Sequence, residues 1–342
     1  MMLININIDL VLAESKLKMM SIIVILLFSY PCMVLSAPSF TRLPLPTRSM
    51  GSESFIFDSS GAGPYTGIID GRILKYQGPL HGFSDFAITV ANRSKAECDG
   101  RNNPALFGEK CGRPVGLGIN NSTGDIYIAD AYKGLLVVGP NGGLATQLAI
   151  AADGVPFRFP DGLDVDPLTG HVYFTDASAI FQISQIPLAV IANDSTGRLL
   201  KYDPETKQVT VLLRYLSGAA GTAVSADGTF VLVTEFIGKR IQRYWLKGPK
   251  ANTAETFATI NGRPDNVKRT ALGQFWVAAN LDGLLSIVTL PTALRLDANG
   301  LVLEKVSLVP QYSITLISEV QEFGGDRYVG SMFTNFVGVY KH

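Results

Sequence analysis

The sequence predicts an all-β chain that closes into a six-bladed β-propeller, and three observations carry that expectation. Six glycine-led segments recur: GPYTGIID from Gly63, GDIYIADA from Gly124, GHVYFTDA from Gly170, GTFVLVTE from Gly228, GQFWVAAN from Gly273 and GDRYVGSM from Gly325. Each is a turn glycine followed by a short run rich in β-branched and aromatic residues, which reads as a turn and then a strand. Their starts lie 45 to 61 residues apart, room for about four short strands per unit, as in propeller blades. No Pro/Ser-rich linker or shift in composition divides residues 50–342, so one closed ring is expected there in place of a sandwich or two smaller β domains. In such a ring the innermost strands line a central channel, and their polar residues converge on it.

Along the chain, Lys16 and Lys18 precede MMSIIVILLFSYPCMVLSA, an apolar run that closes on the small residues Ser36 and Ala37. The run is short for a membrane span and its end suits cleavage, so residues 1–36 read as a signal peptide, with Met19 or Met20 as an alternative start. No later stretch approaches membrane length, so the mature chain is expected to have no span. Secretion would remove Cys32 and leave Cys98 and Cys111, which in an oxidising compartment most simply pair. Sequons at Asn92, Asn120, Asn121 and Asn193 agree with that address as candidate glycan sites.

Second strands follow several of the repeats, as in GRILKYQG, GRLLKYDPETKQVTVLL and KRIQRYWLKGP, with Asp-Pro or Gly-Pro at the turns. The longest stretch with helical character is DASAIFQISQIPLAVIAND, where Pro187 is expected to interrupt any helix. In the closing run ISEVQEFGGDRYVGSMF, residues 317–333, strand alternation puts Ser318, Val320 and Glu322 on one face and Glu319 and Gln321 on the other. Only one of the two carboxylates can face a site.

Lys plus Arg (29) balance Asp plus Glu (29) with no basic run, so the electrostatic footprint of a nucleic-acid binder is missing. There is no G-x-S-x-G elbow, P-loop, dinucleotide fingerprint or H-E-x-x-H, and hence no signal for an organic cofactor. The three histidines, His81, His171 and His342, are widely separated, which argues against a serine–histidine triad or a histidine-rich metal site. What remains are carboxylates and amides beside glycine turns: Glu53, Asp161, Glu235, Asp265 and Asn266. Such hard oxygens suit calcium, although Asp and Asn at turns more often bond their own backbone.

The segments DGRILKY, CGRPVGLGIN, GGLATQLA, DGVPFRF, VYFTDAS, TGRLLKYDPET, VSADGTFVLVTEF, RYWLKGPK and VQEFGGDRYVGSMF resemble the plant strictosidine synthase family, in order, from about residue 50 to 340. The resemblance implies a six-bladed propeller with a signal peptide, a secretory location (vacuole, endoplasmic reticulum or extracellular) and a disulfide where Cys98 and Cys111 stand. The family's founding enzyme condenses tryptamine with the aldehyde secologanin, a Pictet–Spengler reaction of alkaloid biosynthesis, using a glutamate to hold and deprotonate the amine. That position falls here on Ser318. Glu319 is the nearest substitute, but it needs a register slip or bulge to reach the same face. Phe159 takes the place of a pocket tryptophan and keeps an aromatic wall.

The wider superfamily includes calcium-dependent lactonases and paraoxonases. By resemblance their metal-binding glutamate falls on Glu53 and an Asp-Asn pair on Asp265 and Asn266, while two further amide ligands fall on Pro160 and Ala220, with Asp161 able to replace one. Three expectations follow. The first is a calcium-assisted ester or lactone hydrolase in which Asp265 or Asp161 positions water. The second is an amine–aldehyde condensing enzyme with Glu319 or Glu235 as base. The third is a non-catalytic propeller that binds a small molecule or a protein partner.

Overall fold

Every one of the six glycine-led runs is the second strand of its own sheet. These strands are Tyr65–Gly67, Ile126–Asp130, Val172–Asp176, Phe230–Glu235, Phe275–Asp282 and Asp326–Gly330, and each pairs antiparallel with the strands on its two sides. The computed structural model describes residues 39–283 and 288–341, and Phe40–Lys341 form one compact unit. Six sheets, five of four strands and one of five, follow one another as the blades of a β-propeller. The second strands are buried along their length in blades two to four, so both of their faces are apolar; the sequence run is continuous rather than alternating for that reason.

The first blade gains its fifth strand from Gly143–Leu144, which joins Phe83–Ile88 in parallel. The sixth blade is completed from the other end of the chain, because Ser39–Pro44 lies beside Phe336–Lys341 as its outer strand. The ring therefore starts before residue 50, and the expected domain boundary moves upstream. The signal-peptide expectation lies outside the described residues. Among those residues, no helix is long and apolar enough to cross a membrane.

The stretch holding Pro187 does form helix, against expectation: a 3₁₀ turn Ile183–Gln185 runs into an α-helix Ile186–Ile191. Pro187 stands in the first turn of that helix, where its missing N–H has no intrahelical partner to lose, so it starts the helix rather than breaking it. Two more short helices, Lys95–Cys98 and Pro104–Cys111, join the first blade to the second. Their last residues are linked by the expected disulfide, Cys98–Cys111, with Cα atoms 5.6 Å apart. The link spans 13 residues and clamps the chain just ahead of the second blade. Replacing both cysteines by serine should lower the unfolding free energy by about 3 kcal/mol, read from urea titration of the oxidised parent and the variant.

Candidate active site

Four innermost strands carry a register shift near their start, between Pro114 and Gly116, Pro160 and Leu163, Ala219 and Thr222, and Pro264 and Val267. A bulge bends the strand and re-aims the residue within it, and a proline that cannot donate to the ladder is tolerated there. The residues just after the first member of each shift are Val115, Asp161, Ala220 and Asp265. Glu53 and Ser318 stand at the same level, ahead of the inner strands Phe55–Ile56 and Glu319–Phe323. Each blade thus sends one residue to a ring of six, and the carboxylates come from alternate blades.

Glycine lets the blades approach closely enough to form that ring. A Cβ on Gly116 would lie 2.0 Å from the Asp161 carbonyl oxygen, and one on Gly162 would lie 2.4 Å from that of Ala220. Carbonyls of the ring residues accept hydrogen bonds from the neighbouring blade: Val115 from Ser54 Oγ (2.6 Å), Ala220 from Thr175 Oγ1 (2.6 Å), Asp265 from Thr234 Oγ1 (2.6 Å) and Ser318 from the Asn266 N–H (2.9 Å). The floor is therefore set by backbone as well as side chains.

Above the ring lies a cavity of about 430 Å³, a usual size for a small-molecule site. Glu53, Asp161, Ala220, Asp265 and Ser318 line it. Phe159 forms a wall with Phe181 and Ile183, and its ring packs in a cluster with Val115, Ala131 and Ala177. The helix begun by Pro187 contributes Ile186, Pro187 and Val190, and the disulfide-linked segment contributes Asn102 and Pro104. The walls are thus mostly apolar and the floor acidic.

Burial sets the electrostatics of that floor. It raises the Asp161 carboxyl well above the usual range, and the nearby charge of Glu53 raises it further, against the Arg113 guanidinium. Asp265 is likewise pushed well up, by burial and then by the charges of Asp161, Glu53 and Glu319. Glu53 is raised by burial and pulled back by Arg113, whose Nη2 donates to Glu53 Oε2 at 2.8 Å. Like charges gathered in an apolar site oppose one another's ionisation, so each of these carboxyls gives up its proton less readily than an exposed one.

Other expected residues lie elsewhere. Glu235 does not line the cavity. It is fully buried, accepts from the Ser217 N–H at 2.7 Å and pairs with Arg240. The same place at the end of the second strand is held by Asp130, which accepts from the Arg113 N–H, and by Asp176, which accepts from the Phe159 N–H. Glu235 is thus the blade-four copy of an acid that ties down the entry to its inner strand, and the expectation of a pocket base there is corrected. Asn266 is buried but does not line the cavity either, because its neighbour Asp265 takes the inward position.

Ser318 faces the cavity and its Oγ accepts from the Met332 N–H at 3.2 Å. Glu319 turns away, as strand alternation requires, and accepts from the Phe55 N–H at 2.6 Å. Asn92, Asn121 and Asn193 are exposed, whereas Asn120 is half-buried and its side chain accepts from Ser122 in a local turn. The residue that sequence reasoning missed is Arg113. The recurring Pro-x-Gly or Pro-x-Asn at the inner-strand starts, RPVG, FPDG and RPDN, marks the floor residues but not the burial of the arginine beside them.

A family model described as Strictosidine synthase matches residues 161–249. Protein STRICTOSIDINE SYNTHASE-LIKE 12 of Arabidopsis thaliana is 48% identical over 304 residues, covering 89% of this chain and 90% of the relative. Strictosidine synthase of Catharanthus roseus is 40% identical over 309 residues, covering 88% and 86%. Among solved structures, a gluconolactonase of Xanthomonas campestris superposes with a TM-score of 0.62 at 14% identity, covering 90% of each chain. The calcium-binding protein regucalcin of Agrobacterium tumefaciens superposes with a TM-score of 0.59 at 14% identity, covering 88% of this chain and 90% of that one. These two structures share the propeller fold, and with relatives of this identity and coverage the chain belongs to the strictosidine synthase-like family.

Proposed function

We propose that this chain is a small-molecule hydrolase of the secretory pathway, acting on esters or lactones with a sizeable apolar part, in which Asp161 and Asp265 handle the proton. The observation that carries this reading is the pair of buried carboxyls, Asp161 and Asp265, that line an apolar cavity and are both pushed well above the usual carboxylate range by burial and by neighbouring negative charge. One ionised carboxylate takes a proton from water as its oxygen attacks the carbonyl carbon. The neutral partner gives its proton to the carbonyl oxygen; on collapse it takes that proton back as the C=O bond re-forms and the C–O bond to the leaving group breaks, while the first carboxyl passes the proton it took from water to the departing oxygen, which leaves as the alcohol. Phe159 and the aliphatic side chains of the helical insert hold the apolar part and exclude water. The gluconolactonase among the fold relatives and the disulfide support the hydrolytic and secretory parts of the reading.

A resident calcium does not fit this floor. The ion needs six to eight oxygen ligands, but Glu53 is engaged by Arg113, Pro160 and Ala220 offer no side-chain donor, and Asn266 does not line the cavity. Among the described residues no group of three or more carboxylate, histidine or cysteine side chains is gathered closely enough to ligate a metal.

The condensing alternative is less well supported. Ser318 presents a hydroxyl where that chemistry needs a base, and Glu319 is held outside the cavity by Phe55 and by an ion pair with Lys268 at 3.4 Å. Burial nevertheless pushes the Glu319 carboxyl up to about 7, against the Lys268 charge.

Screening aryl esters and lactones against the purified chain should reveal turnover that EDTA leaves intact. Asp161→Asn and Asp265→Asn should each lower kcat/KM by about 10²-fold, and the parent profile should be bell-shaped in pH, since one carboxyl must be charged and the other neutral. A binder without catalysis would show saturable ligand binding and no turnover. Glu319 gives a separate test. Its folded value lies above the ordinary 4.5, so its contribution is complete below that pH and is lost as pH rises through about 7, a change on the order of 3 kcal/mol. In Glu319→Gln the decline of Tm between pH 4.5 and 8 should be visibly shallower than in the parent.

A further inference from the structure

Arg113 is among the largest fully buried side chains in the described protein, and an isolated guanidinium is not left in an apolar interior without a reason. Its Nη1 donates to the carbonyls of Gly51 (3.1 Å) and Pro114 (3.2 Å), and its Nη2 to Glu53 Oε2 (2.8 Å). Nε has no hydrogen-bond partner among the described residues. Besides Glu53, the acids whose charge supports it are Asp130, Asp161 and Asp70. The arginine thus points into the acidic floor and supplies a positive charge there.

Its backbone is held in several independent ways. The Arg113 N–H donates to Asp130 Oδ2 at 2.9 Å, and Thr89 Oγ1 donates to the same oxygen at 2.7 Å. Gly112, at φ 83°, could not carry a Cβ, which would lie 2.2 Å from Thr89 Oγ1. Cys111 ends the disulfide-linked helix immediately upstream. On the far side, Gly51 at φ 85° leaves room for the guanidinium, since a Cβ there would lie 3.3 Å from Nη2. Such clamping is what a fixed functional charge requires.

We propose that the Arg113 guanidinium is the resident cation of the channel floor, taking the place of a divalent ion with a single fixed positive charge. It is a positioning residue: by holding Glu53 in an ion pair it leaves Asp161 and Asp265 as the two free carboxyls that face the cavity. The consequence is a propeller whose fold and ligand binding are independent of calcium, and in which removing that side chain leaves the acidic floor of Glu53, Asp161 and Asp265 without its counter-charge, to be met by a cation from solution. This inference rests on the ion pair and not on the hydrolytic reading, so it stands or falls separately from any substrate screen.

The test titrates CaCl₂ into the full chain by calorimetry and follows Tm with CaCl₂ or EDTA, for the parent, Arg113→Met and the double variant Arg113→Met/Glu53→Gln. The parent should give no binding heat at millimolar calcium and no change in Tm with either additive. Arg113→Met should melt lower, and millimolar CaCl₂ should raise its Tm by about 5 °C, a rescue that the double variant loses. Calcium rescue is a response that loss of packing alone would not produce. Parent binding that depends on Glu53, a fall of the parent Tm in EDTA, or a folded Arg113→Met indifferent to calcium would each overturn the proposal. If Arg113→Met does not fold, Arg113→Lys takes its place: a retained ammonium predicts that calcium has no effect on this variant, and calcium binding by it would contradict the role.

Discussion

Closure of the ring is the constraint on which the rest of this structure depends. Ser39–Pro44 supplies the outer strand of a blade whose other three strands come from the end of the chain, so the two ends of the described chain are tied together in one sheet. The chain from 45 to 54 then runs beside that blade: the Leu45 N–H donates to Asn335 O, the Gly51 N–H to Thr334 O, and Ser52 O accepts from the Ser331 N–H. Those bonds bring Glu53 to the floor with Asp161, and close to the segment that carries Ser318. Residues 264 or more positions apart in sequence become neighbours, as the bond from Phe55 to Glu319 shows. A site assembled this way exists only in the closed ring.

Closure also concentrates charge. Inner strands that meet at an axis bring their polar residues together, and here three carboxylates meet with one arginine in a place that water reaches only through an apolar cavity. The protein meets this excess of negative charge by pairing one acid with Arg113, while burial and the neighbouring charges push the carboxyls of the other two upward. Burial, which makes the arrangement unfavourable for stability at high pH, is also what readies the carboxyls for proton transfer. Many acids in the ring blades answer a different need. Asp130, Asp176 and Glu235 occupy equivalent strand ends and fasten backbone N–H groups, with an arginine, hydroxyl or amide completing each set. Placement at the end of a second strand or at the start of an innermost one, rather than acidity, separates a structural carboxylate from a floor carboxylate.

Much of this was legible in the sequence. The six glycine turns marked the second strands because a turn glycine followed by a β-branched and aromatic run can do little else, and strand alternation put Ser318 and Glu319 on opposite faces, with the family resemblance pointing to Ser318 as the site position. Glu53, Asp161 and Asp265 were legible as floor candidates through their glycine and proline neighbours. Three things were not. Glu235 looked like a pocket acid because the repeat that makes it an anchor is defined by hydrogen bonds between segments, not by a local pattern. Pro187 read as a helix breaker because its effect depends on whether it falls in the first turn. Arg113, in CGRPVG, carried no sign of burial, since its partner Glu53 lies 60 positions away in sequence.

The account turns on the protonation of the two free floor carboxyls, and the most direct measurement is a ¹³C NMR titration of aspartate carboxyls, with Asp161→Asn and Asp265→Asn spectra used for assignment. The account predicts that the pair holds a proton well above the ordinary aspartate range near 4, with each resonance responding to loss of the other. Two independent titrations near 4 would contradict it, because the floor would then carry ordinary carboxylates and no acid–base pair.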